Sequence, residues 1–133
     1  MKRIKQALRR IGLTGEVLWT YALVRAAMAN WDVRTTADWL RRTCAHPWGP
    51  TGAIPDQRLA EATVRVLSRL PTDSRCLMRS LVLIGVLSRR DIDATLVVGV
   101  QPGETFAAHA WVERGARELL SSAEGEYARL LEV

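Results

Sequence analysis

From Leu77 to Leu87 the chain is apolar at almost every position. Leu77, Leu81, Ile84 and Leu87 fall at helical spacing, and Met78, Val82 and Val86 fill much of the remaining circumference. A helix apolar over most of its girth has no broad face to offer to water, so other elements must wrap it. The pattern then changes. Ala94 to Val100 is β-branched and nearly continuous, as in a strand buried on both faces, and Gln101-Pro102-Gly103-Glu104 has the composition of a turn. Thr105 to Glu113 reads as a second strand, Arg114-Gly115 as a hairpin turn and Arg117 to Leu120 as a third short strand.

Before the apolar helix the periodicity is helical throughout. Ile4, Leu8 and Ile11 make one stripe, the stretch from Gly12 to Gly15 is expected to break it, and Val17, Tyr21, Val24 and Met28 make a second. Thr35 or Thr36 is a candidate cap for a short helix through Ala37, Trp39, Leu40 and Arg41. The segment His46 to Pro55 holds three prolines and two glycines and cannot continue a helix. Asp56 is the expected N-cap for a stripe of Leu59, Ala62, Thr63, Val66 and Leu70 that stops at Pro71. The order is therefore α+β, one domain over residues 1–133, with a helical part to residue 70 and a helix plus small antiparallel sheet beyond it.

Composition narrows the class. Hydrophobic residues at 48% and charged residues at 25% fit a globular chain able to bury a core. Two cysteines make no disulfide framework, so a reducing cytoplasm is the expected setting and Cys76 is free to react. The basic start followed by Val17 to Val24 imitates a secretory signal. Glu16 and Arg25 interrupt it, leaving far fewer than the ~20 apolar residues of a membrane span. Lys2, Arg3, Lys5, Arg9 and Arg10 form a positive cluster that reads first as a solvated helix face and otherwise suits an acidic protein, an anionic membrane or nucleic acid, but no nucleic-acid motif accompanies it.

Chemistry enters with Cys76 and His109. Asp73 or Thr72 as N-cap puts Cys76 in the first turn of the apolar helix, where free N–H groups and the positive helix end favour a thiolate, and Arg75 and Arg79 add positive charge. His109 lies in the second strand. If the sheet folds back onto the helix, the imidazole can act as general base toward the thiol and then as acid to a leaving amine. A bland alternative makes Cys76 a buried small hydrophobe and His109 a satisfied core residue. A second alternative is a zinc site from Cys44, His46, Cys76 and His109, although Cys44-x-His46 is an unusual ligand spacing.

The stretch Ser74 to Gly115 resembles the transglutaminase-like leader peptidases of lasso-peptide biosynthesis. The motifs that carry the likeness are Arg75-Cys76-Leu77-Met78-Arg79-Ser80-Leu81, Val98-Gly99-Val100 and Phe106-Ala107-Ala108-His109-Ala110-Trp111-Val112-Glu113. They cover about a third of the chain. The resemblance implies a papain/transglutaminase-like fold, Cys76 as nucleophile, His109 as base, no cofactor or metal, and hydrolysis of the bond between leader and core of a ribosomally made precursor peptide. It also implies two partners, a small leader-recognition protein and an ATP-dependent macrolactam cyclase. The rival of the same fold is a non-catalytic module that grips a peptide or partner; acyl transfer to an amine in place of water is another.

One departure from the family pattern concerns the third catalytic member, commonly an Asp about a dozen residues past the histidine. Leu120 and Ser121 occupy that region here. A two-residue turn at Arg114-Gly115 would set Trp111 opposite Glu118 and His109 opposite Leu120, which makes Glu118 the expected orienter of the imidazole, with Ser121, Glu124 or a backbone carbonyl as alternatives. Trp111 shares the strand face of His109 and is expected either to line the substrate cleft or to pack in the core. Glu113 is open between a surface ion pair and a neighbour of the site. The basic N-terminal segment and the Trp48 to Pro55 loop are the expected docking surface for the recognition protein.

Overall fold

A computed structural model describes residues 1–44, 54–70, 76–101, 107–115, 117–120 and 128–133. Four helices, α1 (Lys2–Met28), α2 (Val33–Thr43), α3 (Asp56–Leu67) and α4 (Cys76–Ser88), precede four strands. The strands are β1 (Thr95–Gln101), β2 (Ala107–Arg114), β3 (Arg117–Glu118) and β4 (Ala128–Glu132), in the antiparallel sheet order β3-β2-β1-β4. The α+β order read from the pattern is the one found.

α4 is the hub its composition demands. Every residue from Ser80 to Leu87 is buried, and α1, α2, α3, β1 and β2 all pack on it. Leu81, Leu83 and Ile84 join Val17 and Val24 of α1, Leu40 of α2, Leu59 and Leu67 of α3, and Leu96, Ala110 and Val112 of the sheet in one core. Gly85 allows α1 to approach α4 closely. A β-carbon there would come 2.7 Å from Cγ2 of Thr20, whose hydroxyl is already committed to the Glu16 carbonyl at 2.7 Å.

Four expectations need correcting. α1 runs unbroken through Gly12 and Gly15, because a glycine weakens a helix by about 1 kcal/mol without removing its N–H or C=O from the ladder. The cap of α2 is Asp32, which accepts the Thr35 N–H at 2.7 Å, while Thr36 is buried inside the helix. Asp56 is the first residue of α3 rather than its cap, Pro55 preceding it, and the helix ends at Leu67 rather than Leu70. β4 has no counterpart among the expected strands; Ala128-Arg129-Leu130-Leu131-Glu132 carries no β-branched residue and mostly faces solvent at the sheet edge. The loop around Trp48, and the Thr72 and Asp73 caps, lie outside the described residues.

Candidate active site

α4 starts at Cys76, so the thiol sits where the backbone N–H groups of the first turn have no partner within the helix. The half-buried sulfur meets β2 edge-on. Sγ accepts the backbone N–H of Ala110 at 3.4 Å, and that nitrogen belongs to the peptide bond leaving His109. The fold thus brings the sulfur to the Ala110 N–H, next to His109, across thirty-four residues of chain.

Alternation along β2 divides its side chains between two faces. Ala110 and Val112 enter the helical core, so His109, Trp111 and Glu113 project from the other face. There the His109 and Trp111 rings stack, with centroids 6.1 Å apart and planes 21° from parallel. Trp111 is held in turn: its Nε1–H donates to Oε1 of Glu113 at 3.1 Å. Arg129 of β4 grips that carboxylate with two bonds, 2.9 Å to Oε2 and 2.7 Å to Oε1, and donates to Glu132 at 2.8 Å. The Arg129 guanidinium, with help from the Trp111 N–H, holds the Glu113 carboxyl below the usual carboxylate range.

This arrangement assigns Trp111 a different place from an open cleft wall. At 4% exposure it backs the imidazole from the same strand face. Glu113 is that tryptophan's anchor, and Arg129 is a member of the network that sequence reasoning missed, since nothing in an exposed Ala-Arg-Leu-Leu-Glu segment marks it as a strand beside the site.

The β2–β3 register is two residues away from expectation. Arg114 pairs with Arg117 and Glu113 with Glu118, because the chain reverses after Arg114 with Gly115 at φ +64°, a conformation glycine adopts without penalty. Glu118 therefore stands opposite Glu113, four residues or about 13 Å along β2 from His109, not opposite Trp111. It shares the face of His109 but sits at the wrong level to touch the imidazole from that pairing. Ser121 and Glu124 lie outside the described residues.

The two thiols occupy opposite ends of α4. Cys44 packs at Gly85, its sulfur 3.7 Å from where a β-carbon on that glycine would sit, whereas Cys76 is nine residues earlier, about 13 Å along the helix. No single ion can take both sulfurs, which removes the zinc arrangement; among the described residues no cluster of three metal-ligating side chains occurs. Burial also pushes the Cys44 thiol up. Likewise, no described helix is long and apolar enough to cross a membrane.

Asp56 fastens the far end of the strand that carries His109. Its Oδ2 accepts from Arg114 at 2.9 Å and Arg117 at 2.6 Å, while Oδ1 accepts the Gln57 N–H at 2.7 Å. The Arg114 hydrogen bond, aided by Gln57 and Arg117, holds this carboxyl below its ordinary range. A carboxylate lowered on folding stabilises the fold fully above its unfolded pKa of ~3.9, and that contribution disappears as pH falls through the lower folded value. Stability measured by urea unfolding should therefore drop from about pH 5 to pH 3, and Asp56→Asn should start lower at neutral pH and lose less over that window.

The sequence profile of the Transglutaminase-like superfamily matches residues 17–132. The chain belongs to that superfamily. The match spans α4, the sheet and most of the helical part, so the transglutaminase-like domain accounts for the placement of a helix-start cysteine against a histidine-bearing strand. Transglutaminase-like domains are commonly of the cysteine protease or transglutaminase type. The chain matches no curated protein and no solved structure.

Proposed function

We propose that this transglutaminase-like chain is a cysteine peptidase that hydrolyses the leader–core bond of a lasso-peptide precursor. The observation that carries the reading is the Cys76 sulfur at the start of α4, hydrogen-bonded to the peptide that follows His109. The motifs around Cys76 and His109 narrow the class from general acyl chemistry to leader removal.

In this reading the His109 ring, which leaves β2 from the face opposite the helical core, turns toward the sulfur to take the thiol proton, and Cys76 Sγ attacks the scissile carbonyl carbon. The Cys76 N–H, in the first turn of α4, donates to the oxyanion. As the C–N bond breaks, His109 returns the proton to the leaving amine, and a thioester remains on Cys76. Water then attacks the thioester with His109 as base, releasing the leader carboxylate and restoring the thiol. Trp111 holds the imidazole plane, and Glu113 with Arg129 holds Trp111.

The freed core amine is the nucleophile that an ATP-dependent macrolactam cyclase needs, and the leader is delivered by a separate recognition protein. All of this takes place in the cytoplasm, where both thiols stay reduced, with residues 1–133 working as one domain.

The test is incubation of the purified chain with a leader-bearing precursor and a recognition protein, read by mass spectrometry. Cleavage at the leader–core bond is expected, and Cys76→Ala should abolish it. Undiminished cleavage by Cys76→Ala would make the fold a gripping module for a peptidase elsewhere. Product carrying an added amine in place of water would make the chemistry acyl transfer.

The clamp predicts a graded effect. Arg129→Met should lower kcat by roughly tenfold to a hundredfold with KM little changed, since it loosens the support of His109 without touching substrate. Equal loss in kcat/KM through KM alone would place Arg129 in substrate binding instead.

A further inference from the structure

α1 carries two apolar faces, and only one is used. Val17, Thr20, Val24 and Ala27 are buried against the body. On the opposite side, Ile4, Leu8, Ile11, Gly15, Leu18 and Ala22 recur at alternating spacings of four and three, the seam spacing of a helix that packs along another helix. This outward row stays open: Ile4 is 66% exposed, Leu8 63% and Ile11 69%, with Trp19 beside it at 56%. It runs for about 27 Å.

Two observations specify the occupant. Arg3, Lys5 and Arg10 flank the row, with Lys2 and Arg9 on the far side of the same turns, and the first acidic residue of the chain is Glu16. A parallel second copy would set these flanking cations against their own kind, so the complementary partner is acidic. The row is also notched. Gly15 leaves open space between Ile11 and Leu18, and a shallow dent lined by Gly15, Leu18, Trp19 and Ala22 follows it. A dent of this kind takes a side chain from a facing helix; a lipid surface has no use for one. The basic half of α1 also precedes residue 17, where the superfamily match begins.

We propose that the outward face of α1 is a docking site for an amphipathic helix with acidic flanks, contributed by a partner protein. Glu16 marks where the docking arm leaves the body: its side chain is locked to Arg89 and Arg90 at the end of α4, so the arm projects from a fixed root. This inference stands independently of the peptidase reading, because it concerns binding at a face remote in sequence from Cys76 and His109.

The probe is a synthetic helix of about three heptads with leucine at the seam positions and glutamate on the flanks, whose own charges keep it monomeric at neutral pH. Fluorescence anisotropy with the full chain should show saturable binding at least tenfold tighter than that of the same peptide with lysine flanks, weakening as salt is raised. Leu8→Asp with Leu18→Asp should abolish binding. Exchanging Arg3, Lys5 and Arg10 for Glu should reverse the preference toward the lysine-flanked peptide. Cys44 should stay protected from iodoacetamide in both variants, which shows that they fold. Absent binding, equal binding of both peptides, or seam-dependent self-association in sedimentation would each overturn the proposal. So would association with phosphatidylglycerol vesicles in preference to the acidic peptide.

Discussion

Replacing His109 with Ala should reduce leader cleavage by about a thousandfold, within the range that a positioned general acid–base contributes. The same change should slow iodoacetamide labelling of Cys76, because the proposed dyad then lacks the imidazole that takes the thiol proton. Cys44 provides the internal reference. It is 2% exposed and its thiol is pushed up by burial, so it should stay unlabelled in the native chain whatever stands at position 109. His109 is only partly buried, and its removal should leave the unfolding midpoint close to that of the parent. Near-parental cleavage by His109→Ala would end the dyad account, whereas a collapsed midpoint would make the histidine a packing residue.

The largest stability effect should come from Glu16. This carboxylate is 3% exposed and takes 2.7 and 2.8 Å bonds from Arg90 and a 3.3 Å bond from Arg89, itself buried and hydrogen-bonded to Thr20 at 2.6 Å. Charges withdrawn from water are tolerable only in company. Glu16→Ala would leave two guanidinium groups at the α1–α4 junction without their shared counter-charge, a loss of the kind that costs about 3–5 kcal/mol. Urea unfolding should show it as a lower midpoint at similar slope. Glu16→Leu combined with Arg89→Met and Arg90→Met should recover much of the loss, since apolar replacement of a whole buried ion group is often neutral. A Glu16→Ala chain within 1 kcal/mol of the parent, on the order of thermal energy, would mean that water reaches the junction.

Elements dictated by burial were legible in the sequence, and those set by a single turn or a distant partner were not. The girth of α4 and the Leu96-Val97 pair of β1, buried on opposite faces, announce themselves in composition. The superfamily followed from short motifs at Cys76 and His109. By contrast, the hairpin register depended on whether the chain reversed at Arg114 or after it, and that one choice moved Glu118 by two positions. Gly12 and Gly15 were weighed as breakers because local propensity ignores what the rest of a helix gains. Glu16 looked like an interruption of an apolar run, yet its partners lie more than seventy residues away. Arg129 shows the same limit: its role exists only once β4 pairs with β1 across from β2.

That placement of β4 has a temporal consequence. The strand bearing Arg129 is translated after every other described element around Cys76 and His109, so an emerging polypeptide holds sulfur and imidazole before it holds the brace behind them.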